Sequence, residues 1–242
     1  MSGGAYFIIG GIKGGPKVEK ILRAIFALKS EARHILYVGA ASFNCLETEK
    51  EFMNFMSDNF PEAKAKSLNI ESRPEHEKNH PSPHEIKEAF FQSDIIFFNG
   101  GDVPRLKAVF DRHDLASLCH ESAEYNNAVV GGMCAGGAIL ADRIVCHHGN
   151  ETTSVEEGSG ILKGYTVSCM MDHPNQETKR LEALRQISSS SDTICLGINR
   201  NETVIFKPDG SLYCLAPRGQ TAEAFIIRPC KTSEPLTDRR FI

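Results

Sequence analysis

The chain has 242 residues, of which 41% are hydrophobic and 24% charged, with a formal net charge of −4. That length and ordinary globular composition fill one large domain, or at most two small ones. The charge balance excludes the basic surface that neutralises phosphates, and no run nears the ~18 apolar residues of a membrane span, so neither nucleic acid nor membrane is expected as a partner.

The predicted elements alternate along the chain. Ala5 to Ile9 reads as a strand; no basic stretch precedes it, which argues against a signal peptide and for a cytoplasmic protein. Lys17 to Leu28 is an amphipathic helix with Val18, Ile21, Leu22, Ile25 and Phe26 on one face. His34 to Val38 is a strand, Glu47 to Phe60 a helix and Ala63 to Leu68 a strand. His84 to Phe91 is helical, and Ile95 to Phe98, apolar throughout, is a buried strand. A helix opens near Pro104, another runs from Leu115 to Tyr125, and Ala128 to Val130 is a short buried strand. Tyr165 to Cys169 is a later strand, and Ser188 to Ser191 reads as a polar break. Ile194 to Ile198, Thr203 to Phe206 and Leu212 to Leu215 are strand-like, with Pro208-Asp209-Gly210 as a hairpin turn. Apolar strands alternating with helices predict an α/β fold: a three-layer sandwich around a mainly parallel, doubly wound sheet, with a C-terminal β-hairpin extension. Residues 1–242 are expected to form one domain.

The chemistry concentrates in Val129-Val130-Gly131-Gly132-Met133-Cys134-Ala135-Gly136-Gly137-Ala138. A buried strand ends, glycines flank one cysteine, and a helix begins, which is the logic of a nucleophile elbow. The helix N-terminus is expected to favour the thiolate, making Cys134 the most reactive of the eight cysteines at neutral pH. No C-x-x-C pair occurs, so a zinc ribbon or thioredoxin-type site is not indicated. His76-Glu77-Lys78-Asn79-His80 matches H-E-x-x-H, but Pro74, Pro81 and Pro83 deny it the helix that pattern requires, so no metal is expected. His173 follows the strand ending at Cys169, near a strand end where catalytic groups cluster. Asp172 beside it points to the opposite face of an extended segment and is a poor partner for its imidazole.

The elbow, together with Ile95-Ile96-Phe97-Phe98-Asn99-Gly100-Gly101-Asp102, resembles the serine peptidase family that contains dipeptidase E and cyanophycinase. Ile8-Ile9-Gly10-Gly11, Val38-Gly39-Ala40-Ala41-Ser42, Gly158 to Leu162, Asp172-His173 and Leu196-Gly197-Ile198-Asn199 extend the likeness. The resemblance implies a fold like that of class I glutamine amidotransferases and hydrolysis of a dipeptide or isopeptide through an acyl-enzyme, without a cofactor. It implies Cys134 as nucleophile, His173 as general base, the Gly101 and Ala135 N–H groups as oxyanion hole, and Glu151 as the acidic third member. Cysteine stands where the family has serine, Val103 where it has Gln, and Lys179 and Arg180 are the candidates for its basic residues after the histidine. Gly132-Met133-Cys134-Ala135-Gly136 also fits the amidotransferase elbow, and His173-Pro174-Asn175 resembles the His-Pro-Glu of those enzymes, which makes Asn175 the alternative partner of His173. A cysteine amidase of that kind, or a redox-sensing or binding protein without turnover, are the other readings. The expected partners are a small peptide or amide substrate and, as the oligomeric option, a homodimer.

Overall fold

The computed structural model describes residues 3–11, 17–71, 80–148, 152–173, 177–216, 224–229, 233–236 and 239–241. Strand β1 (Tyr6–Ile9) feeds helix α1 (Lys17–Phe26), β2 (His34–Val38), α2 (Leu46–Asn59) and β3 (Lys64–Ser67). The chain then returns through α3 (Pro83–Phe91), β4 (Ile95–Phe98), α4 (Val103–Arg112), α5 (Leu115–Asn126) and β5 (Val129–Met133). These five strands pair in parallel in the order β1-β5-β4-β2-β3. The helices divide between the two faces of the sheet, α1 and α2 on one, α3, α4 and α5 on the other. Two core clusters record that division. Ile21, Leu22 and Ile25 of α1 and Met56 of α2 pack with Phe7 and Ile9. Ile86 and Phe90 of α3, Leu106 and Phe110 of α4 and Leu115 of α5 pack with Ile8 on the opposite face. Alternate residues of β1 thus serve both layers, each fully buried aliphatic or aromatic side chain contributing about 1.5–3 kcal/mol.

The expected hairpin extends this sheet beyond β1. Strands β10 (Thr203–Phe206) and β11 (Leu212–Ala216) are antiparallel, β10 also runs antiparallel to β1, and β14 (Arg239–Phe241) closes the edge. Gly210 takes φ +79° in the turn, where Ser211 N–H donates to the Asp209 carboxylate.

A second, six-stranded sheet was not foreseen. It runs β13-β12-β9-β8-β6-β7, built from β6 (Ala141–His148), β7 (Thr152–Glu157), β8 (Leu162–Cys169), β9 (Ile194–Ile198), β12 (Phe225–Ile227) and β13 (Glu234–Pro235). The helix expected after the elbow is present as α6 (Ala135–Ala138), one turn long before the chain enters β6. One expectation is corrected here. Ser188 to Ser191 is no break: Ser188 to Ser190 end helix α7 (Glu177–Ser190), where Ser189 and Ser190 hydroxyls bond back to the Gln186 carbonyl. Among the described residues no helix is long and apolar enough to cross a membrane.

Candidate active site

β5 lies between β1 and β4, so its carboxyl end opens at the middle of the parallel strands, where open α/β sheets place ligands. The turn there is tight. A Cβ on Gly132 would stand 2.1 Å from the Phe98 carbonyl oxygen, and one on Gly136 2.2 Å from the same atom. Strand β4, strand β5 and helix α6 therefore touch through backbone, and the chain between them has no room to relax. Cys134 is held at φ 51°, ψ −118°, a region that costs a non-glycine residue about 1–3 kcal/mol. Its N–H donates to Ile9 at 2.8 Å and its carbonyl accepts from Ala138 at 2.8 Å.

The neighbouring Gly-Gly-Asp loop is pinned from two sides. Asp102 caps α4 by accepting the Arg105 N–H at 2.7 Å, and its own N–H donates to Ala41 at 2.9 Å. Arg105 reaches back to the Ala40 and Glu71 carbonyls. Gly101 adopts φ +152°, and a Cβ there would stand 2.3 Å from the Ala41 oxygen. Only glycine can bring this backbone against the elbow.

Across the cavity, β8 delivers His173. The strand ends at Cys169; Met170 turns with φ +57°, and the Met170 carbonyl accepts the His173 N–H at 3.1 Å. Asp172 is engaged elsewhere, accepting the Arg200 N–H at 2.9 Å and the Arg200 guanidinium at 3.0 Å. Cys134, His173, Gly101 and Ala135 line one cavity of about 300 Å³ together with Val103, Cys146, Cys169, Met170 and Arg180. Glu151, Asn175 and His76 to Asn79 lie outside the described residues. Among the described residues no His, Cys, Asp or Glu cluster could hold a metal. A cavity of about 400 Å³ between α1 and α2, lined by Arg23, Phe26 and Phe60, is larger, but its lining holds no nucleophile–base pair.

Electrostatics correct the expectation for the thiol. Burial dominates and pushes Cys134 up, while the Ala135 N–H and the Arg180 charge pull it down. A one-turn helix has too little dipole to reverse that order. Burial likewise pushes Cys146 up to about 12. Cys45 is pushed down instead: it is the N-cap of the fourteen-residue helix α2, where the Thr48 and Glu47 N–H groups face it. Of the two basic candidates, Lys179 is exposed, whereas Arg180 is 7% exposed and reaches the cavity. Cys146, Cys169 and Met170 are cavity residues that no motif marks; the alternation of β6 and β8 would have pointed to the first two. Buried Glu202, also unmarked, accepts the Asn199 N–H at 3.0 Å, and its carbonyl accepts the Gly10 N–H at 3.0 Å, tying the β1 end to β10.

The fold is shared with solved peptidases. A peptidase from an acI-B1 Actinobacterium superposes with a TM-score of 0.69 at 16% identity, over 97% of this chain and 95% of that one. A Listeria monocytogenes EGD-e protein assigned to peptidase E gives 0.61 at 12% identity, over 88% of this chain and 98% of that one. The cyanophycinase of Synechococcus elongatus is 29% identical over 126 residues, 50% of this chain and 38% of that protein's length. Residues 6–212 match the model of peptidase family S51, and the chain belongs to that family of hydrolases.

Proposed function

We propose that the protein cleaves an amide or peptide bond of a small substrate, of dipeptide or isopeptide class, through a thioester on Cys134. The observation that carries the reading is the left-handed Cys134 at a strand-to-helix turn with His173 on the same cavity wall. A volume of about 300 Å³ stands at the small end of ligand pockets and suits a dipeptide-sized group. Because burial raises the thiol, attack begins with proton transfer from Cys134 Sγ to the His173 imidazole. The sulfur then bonds the carbonyl carbon, and the C=O electrons move onto oxygen, which the Gly101 and Ala135 N–H groups receive. His173 returns its proton to the amine as the C–N bond breaks. Water, deprotonated by His173, attacks the thioester; the acid leaves and the thiol is restored.

Incubation with p-nitrophenyl acetate, followed by peptide mass mapping, tests this. One acetyl group is expected on Cys134 beside any on Cys45, the former lost in Cys134→Ala and formed at least ~100-fold more slowly in His173→Ala. Acetylation confined to Cys45 and unchanged in Cys134→Ala would overturn the assignment.

A further inference from the structure

We infer that Arg180 is a positioning residue that holds His173 in place and sets its charge against Cys134, and that it is not the receptor of a substrate carboxylate. The inference rests on the Cys134–His173 reading above. Arg180 stands in the first turn of α7, is 7% exposed, and points back across the cavity to the end of β8. Its Nη1 donates to the carbonyls of Cys169 and, at 3.1 Å, Met170. The Met170 carbonyl is the same one that accepts the His173 N–H at 3.1 Å. One oxygen therefore ties the guanidinium to the backbone of the proposed base.

The segment needs such a tie. Met170 has φ +57°, a conformation an unbranched L side chain adopts only when its surroundings impose it. Met171 N–H adds a second anchor, to Ile198 at 3.2 Å. The turn also touches the nucleophile: Met170 Sδ lies 3.7 Å from Cys134 Sγ, and Cys169 Sγ lies 3.6 Å from the Cys134 carbonyl oxygen. Arg180 thus acts at the joint between the two strands that deliver Cys134 and His173. A planar guanidinium can serve neighbouring carbonyls in a fixed arrangement, whereas an ammonium supplies charge without that fork. Bidentate carboxylate recognition would aim two guanidinium nitrogens at the ligand, but Nη1 is directed at main chain and Nε is buried. The cation does favour the thiolate at Cys134, against the stronger effect of burial.

Arg180→Lys and Arg180→Met in the full chain, on a Cys45→Ala background, separate these roles. Folding is checked by thermal melting, and should Arg180→Met fail to fold, Arg180→Lys decides. The readouts are the pH profile of Cys134 alkylation by iodoacetamide, the His173 imidazole resonances, and kcat and KM on alanyl and aspartyl p-nitroanilides. In Arg180→Lys the alkylation profile should stay in place, the His173 resonances should shift, and kcat should fall at least ~10-fold on both substrates with KM unchanged. In Arg180→Met the alkylation midpoint should also move upward, by about half a pH unit to one unit. A KM increase confined to the aspartyl substrate, with kcat kept, would identify Arg180 as a carboxylate receptor and overturn the inference. Should the parent show no turnover, the Cys–His reading fails, and unchanged alkylation and His173 signals in both variants would independently overturn the role of Arg180.

Discussion

Two cysteines in this molecule precede a helix, and they differ in nearly every respect that governs a thiol. Cys45 caps α2, fourteen residues long, at φ −59°; Cys134 caps α6, four residues long, at φ 51°. The N–H groups of Thr48 and Glu47 hold Cys45 below the ordinary thiol range, whereas burial carries Cys134 above it. The strained, enclosed cysteine is the one that shares a cavity with a histidine and two candidate oxyanion donors. A long helix with an open end prepares a thiolate in advance. A glycine elbow instead encloses its thiol, and burial disfavours the thiolate there. In the proposed mechanism position and reactivity are thus supplied by different parts of the fold, and His173, held by the turn after β8, is the base the elbow relies on.

The largest expected effect comes from removing the space on which the elbow depends. Gly132→Ala sets a Cβ 2.1 Å from the Phe98 oxygen and 2.8 Å from the Gly136 carbonyl carbon, with backbone on both sides. The cost should be about 4 kcal/mol or more in urea unfolding, and Cys134 should then alkylate like an unfolded thiol. A loss under ~1 kcal/mol would mean that the turn can relax and that its tightness is not what poses Cys134.

A smaller effect separates the two thiols directly. At pH 8, with iodoacetamide and no substrate, Cys45 should react at least ~10-fold faster than Cys134, a difference of ~1.4 kcal/mol in barrier. A lowered pKa means that thiolate is present at lower pH, so the rate profile of Cys45 should rise first and that of Cys134 only at more alkaline pH. Faster labelling of Cys134 at neutral pH would restore the helix-dipole account of the elbow.

The parallel half of the molecule was readable because each apolar run there has one interpretation. Ile95 to Phe98 is too short and too apolar for anything but a central strand, and its Gly-Gly-Asp continuation marks the loop beside Cys134. The second sheet was obscured for a physical reason. Ala135 to Ala141 is buried throughout, so it carries no polar phase to distinguish a helix of period 3.6 from a strand of period 2. The start of a helix at the elbow is accordingly legible there, whereas its end after one turn, where the chain enters β6, is not. His173 could be placed near a strand end, but its anchoring could not be read, because the Met170 carbonyl and Arg180 meet only after α7 folds back over β8. The ionisation of Cys134 was misread for the same reason: enclosure is a tertiary property, and neither Gly136 nor Gly137 reports it.

The smallest expected effect tests how much of the Cys45 environment is backbone. Thr48 contributes to the lowered thiol chiefly through its backbone N–H, and less through its hydroxyl, which itself donates to the Cys45 carbonyl at 3.0 Å and receives Tyr37 Oη at 3.4 Å. Thr48→Val keeps the N–H and the branched shape and removes only the hydroxyl. Cys45 alkylation should therefore slow by no more than about twofold, under ~0.5 kcal/mol, while Cys134 stays unchanged. The Tyr37 hydroxyl, on a buried side chain packed against Phe52, loses a long and weak partner at 3.4 Å, a change that does not touch the Cys45 thiol. A tenfold slowing would show that the side chain, and not the open helix end, activates Cys45. In that case the contrast between the two cysteines would come from local hydrogen bonding, and lengthening α6 could not be expected to turn the elbow thiol into a standing thiolate.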